Sequence, residues 1–88
     1  MKAVVTVLGK DRTGIIAQVS GLLYHEEVNI LDISQTILSG MFTMIMLVEV
    51  GQDHQYDEVR EKLFKLAEEM NLEIRMQRSD IFDAMHRI

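Results

Sequence analysis

The chain has 88 residues, 48% hydrophobic and 26% charged, which suits one globular domain and excludes both a disordered segment and two independent cores. With a net charge of −5 and no basic stripe it is poorly equipped to neutralise phosphates, which argues against direct nucleic-acid binding. It has no cysteine, hence no disulfide, thiolate nucleophile or cysteine-type zinc site, and no apolar run reaches the ~18 residues of a membrane span.

The first element is "KAVVTVL", Lys2 to Leu8, apolar on both faces and therefore expected in the middle of a sheet. It starts directly after Met1 without a basic or apolar leader, so a cytoplasmic location is expected. The turn "GKDRTG" follows, and then "GIIAQVSGLLYHEE" spaces Ile15, Ile16, Val19, Leu22 and Leu23 as the buried stripe of a helix. Gly21 costs that helix about 1 kcal/mol relative to alanine, which suggests that another element passes close to its bare backbone.

"VNILDISQTILSGMFTMIMLVEV" reads as a hairpin turning on Ser39-Gly40. That turn sets Ile37 opposite Phe42, Gln35 opposite Met44, Ile33 opposite Met46 and Leu31 opposite Val48, an apolar set expected to pack on the helices. The other face, Ile30, Asp32, Ser34, Thr36 and Leu38 against Met41, Thr43, Ile45, Leu47 and Glu49, is mixed. Ile45 and Leu47 are too apolar for open water, so a partner subunit or the chain's own tail is expected over them. Met44 and Met46 belong to the core side.

Asp53 is the expected cap of a second helix with Tyr56, Val59, Leu63, Leu66 and Met70 inward, and Asn71 is its left-handed stop. "LEIRMQR" alternates as a half-buried edge strand with Leu72, Ile74 and Met76 inward. "SDIFDAMHRI" gathers Ile81, Phe82, Met85 and Ile88 on one side, a short tail helix that is stable only if docked. Two crossover units joined by a hairpin give an α+β, ferredoxin-like βαββαβ plan. It has a four-stranded antiparallel sheet, two helices on one face, and the first and third strands at its centre. A domain this small buries only roughly 60% of its unfolded surface, so a homodimer is expected.

The glycine-bounded turn is the place to look for chemistry. Gly9 and Gly14 have the spacing of a phosphate loop, but Ile15 and Ile16 stand where Lys and Ser or Thr are needed, and Asp11 repels phosphate. The dinucleotide pattern G-x-G-x-x-G is absent. Ser20, Ser34, Ser39 and Ser79 lack a nucleophile-elbow context, and His25, His54 and His86 lack metal-ligand spacing, so neither catalysis nor a metal or other cofactor is expected. The densest basic cluster, Arg75, Arg78, His86 and Arg87, reads as a solvated patch. A small zwitterion fits better: Asp11 pairs with an ammonium, the N–H groups that open the helix receive a carboxylate, and Asn29 offers a donor and an acceptor. The alternative is that Asp11 or Thr13 caps the helix and Asn29 ends a turn. The residues alone leave both open.

"GKDRTGIIAQVSGLLYHEEVNILD" resembles the opening of an ACT domain: an Asp-Arg-Pro-Gly turn, an apolar helix, then Asn-Ile entering the second strand. The likeness runs from about Ala3 to Arg78, and it is similar to the small stand-alone ACT-domain proteins related to the glycine cleavage system transcriptional repressor. It implies an ACT domain over residues 1–78 with a tail over 79–88, and a non-catalytic regulatory homodimer that binds an amino acid between subunits. Carried onto matching positions, the site is Gly9, Asp11, Arg12, Thr13, Gly14 and Ile15 of one copy with Asn29 and Ile30 of the other. Thr13 stands where the family more often has proline. A ligand-free interaction module is the other reading of the same likeness.

Overall fold

Why six short elements settle into one layer of strands and one of helices follows from their burial patterns. The computed structural model describes residues 1–10 and 14–79. In chain order these form β1 (Lys2–Gly9), α1 (Ile15–His25), β2 (Asn29–Leu38), β3 (Met41–Glu49), α2 (Asp53–Met70) and β4 (Glu73–Arg78). The strands make an antiparallel sheet in the order β2-β3-β1-β4, so the two strands with apolar residues on both faces are central, as expected. Ala3, Val5 and Val7 of β1 and Phe42, Met44, Met46 and Val48 of β3 point to the helices, where Ile15, Val19, Leu23, Val59, Leu63 and Ala67 close the core. The tail expectation falls on residues that, apart from Ser79, lie outside the described ones.

Local chemistry sets the joints. Ser39 and Gly40 both have positive φ, 52° and 77°, and connect the paired Leu38 and Met41, which is the two-residue hairpin turn whose twist matches that of the strands. Both helices end in the same way, with a left-handed residue that releases the chain while satisfying the last carbonyls. After α2, Asn71 (φ 56°) donates to Glu68 O at 3.4 Å and Leu72 donates to Ala67 O at 2.8 Å. After α1, Glu27 (φ 60°) donates to Tyr24 O and Val28 donates to Leu23 O, at 3.0 and 2.9 Å. Asn71 was legible as this stop.

Several expectations are corrected. Leu31 is not opposite Val48: the register shifts between Ile30 and Asp32, Ile30 pairs with Val48, and Leu31 is the extra residue of a bulge. Asp53 is not the cap of α2: Gln52 holds that position in extended backbone, and Asp53 is the first helical residue, where its charge suits the helix dipole. Gln55 ties the entry instead, accepting from Gly51 N–H at 3.0 Å and donating to Glu26 O at 2.6 Å. Ile16 is exposed while Ile15, Val19 and Leu23 are buried, although at 100° per residue it lies within about 20° of Leu23; it sits in the first turn of α1, over the hairpin end of the edge strand β2. A Cβ added at Gly21 would meet nothing within 4 Å, so among the described residues no element passes close to it. Finally, only the β3 half of the hairpin's apolar face packs on the helices. Ile33 and Ile37 of β2 remain 41% and 54% exposed.

Candidate functional site

β1 ends at the buried Gly9, and α1 begins at the buried Ile15. Between them, Asp11, Arg12 and Thr13 lie outside the described residues. Gly14 is the residue that turns strand into helix. Its φ of 78° belongs to the left-handed region, and an added Cβ there would touch nothing within 4 Å, so backbone conformation rather than crowding selects glycine. Its carbonyl accepts from Gln18 N–H at 2.9 Å, which closes the first helical turn. As a glycine, the cap offers no side-chain acceptor to the first N–H groups of α1, and no acidic side chain stands in the first turn. That end of the helix carries a partial positive charge.

Beside it runs a groove of about 460 Å³ lined by Ile16, Gln35, Thr36, Ile37 and Phe42. It lies between the start of α1 and the hairpin end of β2, because Gly9 pairs with Phe42 and Phe42 with Ile37. Sequence reading passed over these lining residues by assigning Ile16 and Ile37 to the core. The missed signal was that Ile37 sits on an edge strand, which leaves it and Ile16 above it without a covering layer.

Asn29 and Ile30 stand at the opposite end of the sheet, Asn29 paired with Glu49 and Glu49 with Lys2. Asn29 is exposed and borders a wider depression, about 510 Å³, with Tyr24, His25, Glu27 and Val28. A third hollow of about 320 Å³, at Gly9, Lys10, Asn71 and Glu73, holds one cation and one anion on an open rim and no converging polar cluster. Within one chain, then, Gly9, Gly14 and Ile15 come together, and Asn29 and Ile30 are a strand length away.

The electrostatics are quiet. Among the described residues no three His, Asp or Glu side chains are placed to hold a metal ion, and no side-chain polar atom is buried without a partner. The basic cluster is partly tied down, since Arg75 pairs with Glu73 at 3.1 Å. Tyr56 has its pKa raised above the ordinary 10.0 by burial, against the opposing pull of Arg60 and Arg78, and its hydroxyl donates to Met76 O at 3.1 Å. Lys62 is raised by its hydrogen bond to Glu26, a 2.8 Å ion pair that links the second helix to the end of the first. Neither group borders the grooves. No described helix is long and apolar enough to cross a membrane.

The glycine-turned helix start, the strand order and the Asn-Ile entry to β2 match one family, and its model covers residues 2–77. The chain belongs to the ACT-domain family. The UPF0237 protein of Listeria innocua is 46% identical over the full length of both chains. That of the archaeon Methanocaldococcus jannaschii is 44% identical over 99% of this chain and 98% of its own. Among solved structures, the ACT domain protein from Streptococcus pneumoniae superposes with a TM-score of 0.83 at 39% identity, covering 93% of each chain. A chain assigned as a glycine cleavage system transcriptional repressor superposes with a TM-score of 0.80 at 29% identity, over 89% of this ACT domain and 45% of the repressor. ACT domains are typically regulatory, ligand-binding and non-catalytic modules.

Proposed function

We propose that this protein is a cytoplasmic, non-catalytic regulatory ACT module that works as a homodimer and binds a small amino acid between its subunits. Gly9, Asp11, Arg12, Thr13, Gly14 and Ile15 of one copy line one side, and Asn29 and Ile30 of the other line the opposite side. The observation that carries this reading is the start of α1, where a left-handed glycine caps the helix without a side chain, next to an open, mainly apolar groove. An amino acid offers what such a place takes: a carboxylate for the helix N–H groups, an ammonium for Asp11, and a side chain for the groove. Family membership and the likeness to a chain assigned as a transcriptional repressor support a regulatory role, and the charge of −5 supports action through protein rather than DNA contact.

Calorimetry against each of the common amino acids tests the proposal. The expected result is heat with one or a few of them, lost in Asp11→Ala without a change in molecular mass or melting temperature. Absence of heat with every amino acid refutes sensing and leaves the ligand-free interaction module. The uncovered apolar residues of β2 favour that second reading, which needs a docking surface and no ligand.

A further inference from the structure

We infer that residues 80–88 lie back across the open face of the sheet, along β1 and β3, so that this face takes the chain's own tail and not a second copy. The inference stands whether or not an amino acid or another subunit binds elsewhere on the molecule.

Both helices pack on one face of the sheet, and no described helix or strand lies over the other. Alternation and register give the residues of that open face row by row. Val4 stands between Leu47 and Gln77, Thr6 between Ile45 and Arg75, and Leu8 between Thr43 and Glu73. Beyond β3, Asp32, Ser34 and Thr36 of β2 continue the same three rows. Val4, Leu47, Ile45 and Leu8 thus form an apolar lane down the middle, with a polar margin on β4 and another on β2.

The lane is unevenly wet. Ile45, in its middle, is 44% exposed, whereas Val4 is only 8% exposed. Among the described residues, Val4 is the one buried apolar side chain outside the core cluster, because it points away from the helices. This dry end of the lane is also where the chain leaves the sheet. β4 ends at Arg78, which pairs with Ala3, and Ser79 follows it half-buried. The next stretch of chain therefore starts beside the one apolar residue of this face that is already dry.

The sequence of that stretch fits the lane. In "SDIFDAMHRI", Ile81, Phe82, Met85 and Ile88 share one side at helical spacing. Nine helical residues span about 14 Å, and β1 from Val4 to Leu8 spans about 13 Å. Charge fits as well. A right-handed helix running from the Val4 end with its apolar side down turns Asp80 to the β4 margin, towards Arg75. Two turns later it brings Arg87 to the same margin, towards Glu73, so opposite signs meet at both ends. Alone in water a helix this short does not hold, and the lane supplies the apolar contact it lacks. Tethered at the end of β4, the tail has an effective concentration of roughly millimolar, which a free partner seldom matches.

The absence of cysteine makes the test clean. In this placement Met85 comes down over the row of Thr6 and Ile45. Thr6→Cys combined with Met85→Cys is expected to close a disulfide within one chain on mild oxidation, seen as a faster-running monomer on a non-reducing gel. Thr6→Cys combined with Asp83→Cys, on the opposite side of the helix, is expected not to close. A disulfide that joins two chains overturns the inference by putting the tail on a second copy. Cross-linking no faster than in the control pair overturns it too. Thiol labelling of the single Thr6→Cys variant gives a second readout that needs no disulfide geometry. It is expected to be about tenfold slower than labelling of Glu61→Cys on the exposed side of α2, and to speed up when Phe82→Asp is added. A rate that Phe82→Asp leaves unchanged means a bare face and overturns the inference. Calorimetry with amino acids and the mass of the wild-type chain are separate measurements, so the function proposed above stands or falls independently.

Discussion

β4 and β2 are the two edge strands of one sheet, yet they meet solvent differently. Across β4 lies α2, so Ile74 and Met76 are buried, and Tyr56 anchors the helix to the strand through Met76 O. The side chains β4 shows to water are Glu73, Arg75, Gln77 and Arg78, the first two paired with each other. β2 has the same alternation but little of α1 above it, and it shows Ile33 and Ile37 on the face where β4 hides Ile74 and Met76. Alternation therefore tells which side chains share a face, and the reach of the helices decides whether that face is dry. One edge of the sheet is therefore covered and the other is left wet, and the homodimer proposed above would use the wet one.

The sharpest way to break this comparison is to shorten one inward aliphatic on each edge. Ile74→Ala removes a fully packed side chain and is expected to cost about 2–4 kcal/mol, the same at every protein concentration. Ile37→Ala, on a half-exposed side chain, is expected to change monomer stability by less than about 1 kcal/mol. Its effect instead grows with concentration, because it weakens association. Denaturant melts at two concentrations measure both. Equal, concentration-independent losses would show that β2 is an ordinary covered edge.

How far each edge was legible follows from the same contrast. Strand order, the Ser39-Gly40 turn and the Asn71 stop are encoded locally, in β-branched runs, in residues that tolerate positive φ, and in the crossover rule, and all three were read from the chain. The bulge at Leu31 carries no glycine or proline to announce it and reflects the pairing of Ile30 with Val48. Gln55, not Asp53, ties the entry of α2, because its amide reaches both Gly51 and Glu26, a tertiary contact invisible to capping rules. For the candidate site, Gly14 was legible through its backbone role. The separation of Asn29 from it was not, because that distance is set by which end of β2 lies beside which end of β1.

A smaller effect sharpens the covered edge. Tyr56→Phe deletes the bond to Met76 O and is expected to cost about 1 kcal/mol near neutral pH. Burial raises the Tyr56 pKa, so the folded state holds its proton more tightly than the unfolded chain. Its contribution is complete below the ordinary value of 10.0 and is lost as pH rises through the folded-state value. Wild type should lose stability above pH 10 more steeply than the variant in denaturant titrations. Parallel pH profiles would mean that the phenol does not hold α2 to β4.

The smallest effect concerns the helix that leaves β2 open. Gly21 lies inside α1, where glycine is less favourable than alanine by roughly 0.5–1 kcal/mol, and no atom of the described residues occupies the space a methyl group would take. Gly21→Ala is therefore expected to raise stability by that amount, read as a higher midpoint in denaturant melts. A variant that melts lower would show that the space beside position 21 is filled in solution.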